Sequence, residues 1–397
     1  MLKKIFITTG GTGGHILPAM CLAKALIKQN NHTIIFGDSK VKNYLHYLDN
    51  QQNFQFHLLS SSKIVKNYRS LIFATLKICL GFLQSLFFLL IKRPNIVVAF
   101  GGYASFPMLL ASVLLGKKIV LHEQNAHLGK VNRIFAPFAT KIATSFPNTF
   151  AIDKKYQSKV IYTGNPVRDE ISVLWQQPYK IPNSQPTSQI SCNRFGYDLI
   201  LNSDFYQTSE NEPEFTEQKF WQILVLGGSG GAKVFSDVLP QAFFNLPDNL
   251  KDNLKIVQQC RKELVESTFE SYKNFNINVV VDSFFEDIPT ILKQSHLIIA
   301  RAGASSIFEF CASKKPMILV PFANSADHHQ QKNAHYIAQN GGAIMLEEKE
   351  FNINNISQIL RNLLEKPEIL YKMSENSSKL AKIEATDNLI KVLNNVY

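Results

Sequence analysis

Three stretches of this 397-residue chain carry residue types able to hold a phosphate. In the first, a β-branched and aromatic run from Ile5 to Thr9 breaks into Gly10-Gly11-Thr12-Gly13-Gly14. It passes His15 and restarts at Pro18 as the helical pattern Ala19, Leu22, Ala23, Leu26. Glycines without Cβ let a backbone come close to a ligand, and the following helix aims unpaired N–H groups and a positive dipole end at the same point. An anion is the expected guest; the competing explanation is a turn needed only to pack strand on helix. The second stretch, Gly227-Gly228-Ser229-Gly230-Gly231-Ala232, repeats the arrangement after Trp221–Leu226. In the third, Gly303, Ala304, Ser305 and Ser306 set N–H groups and hydroxyls at a helix start, a phosphate cradle. Glu309, three residues past Ser306 and expected on the helix's first turn, either closes a capping box with Ser306 or accepts hydrogen bonds from a ribose diol.

Other polar groups follow strand-like runs: Gly101-Gly102-Tyr103-Ala104-Ser105, His122-Glu123-Gln124-Asn125 and Thr163-Gly164-Asn165-Pro166-Val167-Arg168. For these to converge on one rim, the strands before them must be parallel. Runs at 33–36, 96–99, 119–122, 142–144 and 160–162, then at 256–258, 279–281, 297–300 and 318–320, alternate with loop or helix patterns. That rhythm predicts doubly wound α/β sheets with ligands beyond the carboxyl ends of the strands. The repeated opening predicts two mononucleotide-like halves, and the length suits two domains. Between them, residues 172–220, with Pro178, Pro182, Pro186 and Pro213 among many Gln, Ser, Asn and Glu, read as a polar connector or insertion. Glu210, Glu212, Glu214 and Glu217 there read as a solvated face rather than a metal site. His328 and His329, adjacent on a helix, cannot face one metal.

Hydrophobic residues at 45% and charged residues at 18% describe an ordinary globular protein. Five scattered cysteines without ligand spacing point to a reduced, cytosolic compartment, and no apolar signal segment precedes the first strand. Up to Arg168 there are 21 basic and 4 acidic residues, a balance of +17, whereas the remainder carries −6. Such a field favours an anionic partner, nucleic acid or a membrane surface. Residues 63–93 decide between them. Lys63, Lys66 and Arg69 lead into a long apolar run that includes Leu83, Phe87 and Phe88 and closes on Lys92-Arg93-Pro94. The run is nearly long enough to span a bilayer, but Lys77, Gly81, Gln84 and its place between two strands of one sheet argue against crossing. A helix with one side on the core and the other in the lipid interface fits the basic flanks, and a wholly buried helix fits the periodicity equally. Nucleic acid lacks support, since no binding motif or aromatic-basic interleaving is present.

The ordered series Gly-Gly-Thr-Gly-Gly-His15, Gly-Gly-Tyr103, His-Glu-Gln-Asn125, Gly-Asn-Pro-Val-Arg168, Gly-Gly-Ser229, Arg-x-Gly-Ala304 to Glu309, and Asp327 to Asn333 resembles the MurG family. These are the UDP-N-acetylglucosamine:lipid I N-acetylglucosaminyltransferases of peptidoglycan synthesis. The resemblance covers the chain from Lys4 to its last helix, apart from the connector. It implies a GT-B glycosyltransferase: a Rossmann-like acceptor- and membrane-binding domain over 1–170, the connector over 171–220, a UDP-GlcNAc-binding domain over 221–375 and a C-terminal helix over 376–397 returning to the first domain. Carried over by position, Ser229, Ala304, Ser305, Ser306, Glu309 and Gln330 bind the donor, with Phe285 beside the uracil. Arg168 brings a cation to the diphosphate, and Thr12, Gly13, Gly14 and Asn125 reach donor sugar or acceptor across a cleft.

The inverting transfer so implied needs a base at the acceptor's 4-hydroxyl and stabilisation of departing UDP. His15 is the candidate base, alternatively a hydrogen-bond donor to the acceptor, and Glu123 is its rival. No cofactor or metal is called for, as no Asp-x-Asp is present to hold a diphosphate-bound cation. The partners implied are UDP-GlcNAc, lipid I, an anionic membrane surface on the cytoplasmic side of the bacterial inner membrane, and proteins of cell-wall synthesis. Gly230 departs from the family, most members of which carry glutamine there, and the connector is longer than theirs. Two other classes remain: an NAD(P)-dependent oxidoreductase with Asp38 as its ribose acid, whose G-x-G-x-x-G fails at Ile16, and a catalytically silent membrane scaffold.

Overall fold

The structure, a computed structural model, describes residues 4–48, 54–62, 68–182, 214–216, 220–228 and 230–396. Ser229, Lys63, Lys66, Glu210, Glu212, Glu217 and connector residues 183–213 lie outside the described residues. The chain forms two compact units, Met1–Asp169 with Lys382–Tyr397, and Glu170–Ala381.

In the first unit the order is β1 (Lys4–Thr9), α1 (Gly13–Lys28), β2 (His32–Gly37), β3 (Phe54–Leu58), α2 (Tyr68–Lys92), β4 (Ile96–Ala99), α3 (Phe106–Leu114), β5 (Lys118–Glu123), α4 (Lys130–Phe135), β6 (Lys141–Thr144) and β7 (Val160–Tyr162). The seven strands form one parallel sheet, β3-β2-β1-β4-β5-β6-β7. Strand order reverses between β1 and β4, the position where doubly wound sheets open a crevice for ligands. Central strands of parallel sheets are covered on both faces, so Ile5-Phe6-Ile7 and Ile96-Val97-Val98 are fully buried and read as unbroken apolar runs.

After α5 (Asp169–Ser172), the second unit contains β8 (Lys180–Pro182), β9 (Glu214–Thr216), β10 (Trp221–Leu226), α6 (Lys233–Phe244), α7 (Asp248–Lys251), β11 (Leu254–Gln259), α8 (Val265–Lys273), β12 (Asn278–Asp282), α9 (Ile288–Gln294) and β13 (Leu297–Ala300). It continues through α10 (Ala304–Ala312), β14 (Met317–Leu319), α11 (His329–Gln339), β15 (Ala343–Met345), α12 (Ile353–Glu365) and α13 (Pro367–Leu380). Its six-stranded parallel sheet, β12-β11-β10-β13-β14-β15, has the same reversal, between β10 and β13. The doubled architecture expected from the two glycine loops is therefore present in both units.

Several details differ from the sequence-based expectation. Helix α1 opens at Gly13 and takes Pro18 inside it, five residues before the expected restart. The 375/376 boundary falls within α13, which runs on to Leu380 in the second unit, so only α14 (Ala385–Val396) joins the first. There α14 packs on α1 and β6, its Leu389, Ile390 and Leu393 sharing a core with Ile16, Ala19 and Met20. Gly164, at φ +82°, has no room for a Cβ against Lys382 where that return begins. The start of the polar connector is also structured: Tyr179 and Ile181 enter the second unit's core, and the Tyr179 hydroxyl donates to the His296 carbonyl at 2.8 Å. Four strands, β3, β8, β9 and β15, escaped the pattern reading: β3 and β15 each end one of the two large sheets, and β8 and β9 pair only with each other inside the stretch read as connector.

Candidate active site

The first glycine loop sits at the β1/β4 reversal and is braced from below. Gly11 N–H donates to Asp38 Oδ2 at 2.9 Å, the Tyr103 hydroxyl donates to the same oxygen at 2.7 Å, and Lys40 Nζ donates to the Gly11 carbonyl at 2.9 Å. Burial, then the bond to Asp38, pushes the Tyr103 phenol up to about 12, so it stays a donor. Asp38 is thus spent on shaping the loop, which removes the ribose acid that an oxidoreductase would need. A Cβ on Gly102, whose φ is +76°, would lie 2.6 Å from the Gly10 carbonyl, so the β1 and β4 loops touch only because both are glycine.

Helix α1 starts from Thr12, whose side chain makes no cap, and presents Gly13 and Gly14 in its first turn. Thr12 and Gly14 are exposed and His15 is half-buried. His15 Nδ1 lies 2.7 Å from Gln124 Oε1, at the end of β5. The sequence motifs around His15 and His122 are therefore one constellation.

Glu123, the rival base, is corrected by its surroundings. It is 1% exposed. Its Oε1 accepts from Asn125 N–H at 3.0 Å and Asn125 Nδ2 at 3.1 Å, and its Oε2 from Gly129 N–H at 2.8 Å and Asn132 Nδ2 at 2.9 Å. Four donors consume the carboxylate in folding the loop that presents half-buried Asn125, leaving no face for an acceptor hydroxyl. Arg168, at the rim beyond β7, is 9% exposed, donates to the Tyr47 hydroxyl at 3.2 Å and lies over that ring at 5.9 Å.

In the second unit, α10 begins at the β10/β13 reversal with Gly303 as its N-cap and no side-chain cap. Its first turn carries buried Ala304 and Ser305 and half-buried Ser306. Glu309 is corrected from the first turn to the second, since Ser306 lies inside the helix and cannot be the N-cap. The capping-box explanation fails for that reason. Glu309 is 6% exposed. Asn333 Nδ2 donates to the Ala302 carbonyl at 3.1 Å and ties α11 to this loop, while Gln330 Oε1 accepts from Phe322 N–H at 2.8 Å. Arg301 is committed elsewhere, to the Val320 carbonyl at 3.1 Å and Glu348 at 3.0 Å. Phe285 is half-buried past the end of β12, and a Cβ on Gly230 would meet nothing within 4 Å, so packing does not forbid a longer side chain there. Among the described residues no three His, Cys, Asp or Glu gather as a metal site.

Helix α2 is apolar on both faces, with Leu89 fully buried and Phe82 and Leu86 packed on the core. Its exposed face carries Phe73, Leu76, Leu80, Leu83, Phe87 and Leu90 at alternating spacings of three and four, while Ala74, Gly81 and Ser85 are buried. Leu83 is 61% and Phe87 58% exposed. Phe88 is corrected: it turns inward, its ring 5.2 Å from Phe36 and 4.3 Å from His57. By length and composition α2 could cross a membrane. It lies instead along its own unit, packed on α3, with Gln84 Oε1 accepting from Ser60 N–H at 2.9 Å, and its flanking strands belong to one sheet.

Two doubly wound units, each with a strand-order reversal that opens a crevice, make the GT-B architecture, and the family relationships make the chain a glycosyltransferase. The Glycosyltransferase family 28 N-terminal domain matches residues 5–144 and the family 28 C-terminal domain residues 222–389. Among solved structures, the MurG of Acinetobacter baumannii superposes with a TM-score of 0.71 at 24% identity over 99% of both chains. The calicheamicin glycosyltransferase CalG4 does so at 0.62 and 11% identity, over 100% of this chain and 99% of that one. The UDP-N-acetylglucosamine--N-acetylmuramyl-(pentapeptide) pyrophosphoryl-undecaprenol N-acetylglucosamine transferase of Paramagnetospirillum magneticum is 32% identical, over 97% of this chain and 94% of its own length. The enzyme of the same name from Wolbachia pipientis subsp. Culex pipiens is 33% identical over 98% of both. The chain belongs to this transferase family, the MurG family.

Proposed function

We propose that the chain transfers N-acetylglucosamine from UDP-GlcNAc to the 4-hydroxyl of the N-acetylmuramyl unit of undecaprenyl-pyrophosphoryl-MurNAc-pentapeptide, lipid I, giving lipid II with inversion at the anomeric carbon. The observation that carries this reading is the near full-length relationship to transferases of that name. The two units divide the labour. The second takes the donor: amides of the α10 first turn and the hydroxyls of Ser305 and Ser306 meet the diphosphate, and Glu309 meets the ribose diol. Gln330, Phe285 and Ser229 complete the nucleotide contacts. In the first unit, Thr12, Gly13, Gly14 and Asn125 line the sugar side, and Arg168, held by Tyr47, offers a guanidinium to a diphosphate.

The step balances as a direct displacement. His15 takes the proton of the acceptor hydroxyl, the freed O–H electron pair forms the new bond to C1, and the C1–O pair leaves with UDP. Main-chain amides and a guanidinium receive the leaving group's charge without reorganising. Incubation with UDP-[14C]GlcNAc and a soluble lipid I analogue is expected to give labelled disaccharide, with and without EDTA. Release of free GlcNAc with no labelled acceptor would refute the reading.

Lipid I is membrane-borne, and we assign the exposed face of α2 to the cytoplasmic leaflet, with the +17 field drawing the unit to anionic lipid. Leu83→Ser with Phe87→Ser is expected to abolish co-sedimentation with phosphatidylglycerol vesicles while leaving transfer to a soluble acceptor intact. Equal sedimentation of variant and wild type would count against this face.

A further inference from the structure

His122 and Gln124 are buried, at 0% and 1% exposure, and neither has been given a part in the reaction. They connect a backbone carbonyl to His15. His122 Nε2 lies 3.3 Å from the Gly164 carbonyl, His122 Nδ1 lies 2.9 Å from Gln124 Nε2, and Gln124 Oε1 lies 2.7 Å from His15 Nδ1. The ring of His122 also packs at 4.9 Å on Phe100, which fixes its plane.

The proton positions follow from the carbonyl end. A carbonyl only accepts, so His122 Nε2 must carry the hydrogen. Full burial pushes the imidazole down to about 4, against the smaller upward pull of the Gly164 bond, so the ring is neutral and Nδ1 is a lone pair. Only the NH2 side of the Gln124 amide can meet that lone pair, and the same nitrogen donates to the His122 carbonyl at 3.2 Å. Its oxygen therefore faces His15, whose Nδ1 must donate. In the neutral ring, what remains on His15 is a lone pair on Nε2.

We propose that His122 and Gln124 are positioning residues that hold His15 in its Nδ1–H tautomer, so that Nε2 is the atom that accepts the proton. The assignment rests on the reading of His15 as base and names the atom that does the work. When Nε2 gains the acceptor's proton, the Nδ1–H bond to Gln124 persists and strengthens as a charge-assisted bond, so the ring need not turn. Gly164 thereby acts twice, admitting the C-terminal return beside Lys382 and presenting the carbonyl that sets the relay.

Long-range 1H–15N correlation spectra of the 15N-histidine-labelled protein test this without turnover, the His15 signals being identified by their loss in His15→Ala. The expected wild-type pattern is a protonated Nδ1 and an unprotonated Nε2; a protonated Nε2 in neutral His15 would overturn the proposal. Gln124→Met should populate the Nε2–H tautomer and lower kcat on the order of 10²-fold with KM for UDP-GlcNAc unchanged. Gln124→Glu keeps an oxygen opposite His15 Nδ1 and should restore both the tautomer and much of the rate. Wild-type spectra and kcat in Gln124→Met would defeat the relay. A shifted tautomer with full kcat in both Gln124→Met and His15→Ala would leave the relay standing and defeat the base reading.

Discussion

His15→Ala is expected to lower kcat by about 10²–10⁴-fold, the range a positioned proton acceptor contributes. KM for UDP-GlcNAc should barely change, because His15 is assigned to the acceptor's proton and to no donor contact. The imidazole stands at the third position of α1, beside a loop held open by Asp38 and Tyr103, and its ring is gripped through Nδ1. Removing it takes away the proton acceptor while the four bonds to Glu123 keep the neighbouring loop folded. Steady-state kinetics at saturating donor check this; a wild-type kcat would return His15 to a loop-shaping role.

Glu309→Ala should weaken UDP-GlcNAc binding by roughly 10- to 150-fold, the equivalent of about 1.5–3 kcal/mol for hydrogen bonds to a charged group. The side chain sits in the second turn of α10, buried and too deep in the helix to serve as a cap partner for Ser306. Titration calorimetry with UDP-GlcNAc reads the loss directly. Arg168→Ala is expected to act in the same direction, through the lost guanidinium. Unchanged affinity in Glu309→Ala would show that the carboxylate belongs to the fold of the second unit and that the donor lies elsewhere.

The sheets were legible where burial on both faces wrote continuous apolar runs, as at 5–7, 96–98 and 297–300. They were illegible at β3, where Gln55 and His57 interrupt the apolar run, and at β8, β9 and β15, which are three residues long. Glycine loops were legible because turn geometry and ligand approach both demand missing side chains. Residue types alone could not separate Glu123 from His15, since the difference lies in which polar groups surround each once the loop is folded. The apolar stretch through Phe88 shows the same limit. A helix apolar most of the way round carries no mark of which face meets the core, and a rotation of one residue separates Phe87 from Phe88. Gln124 gave no signal as a relay because His15 stands 109 residues away in the chain and only the fold brings it to Gln124, although His122 is two residues off. The 375/376 boundary implied by the resemblance missed the end of α13 because α13 and α14 are both amphipathic and only packing assigns them to different units.

The central claim is that the first turn of α10 holds the donor's diphosphate. A crystal structure of the chain with UDP tests it most directly. The account predicts phosphate oxygens on the amides of residues 303–306 and the ribose hydroxyls on Glu309; uridine diphosphate bound away from that turn would contradict it.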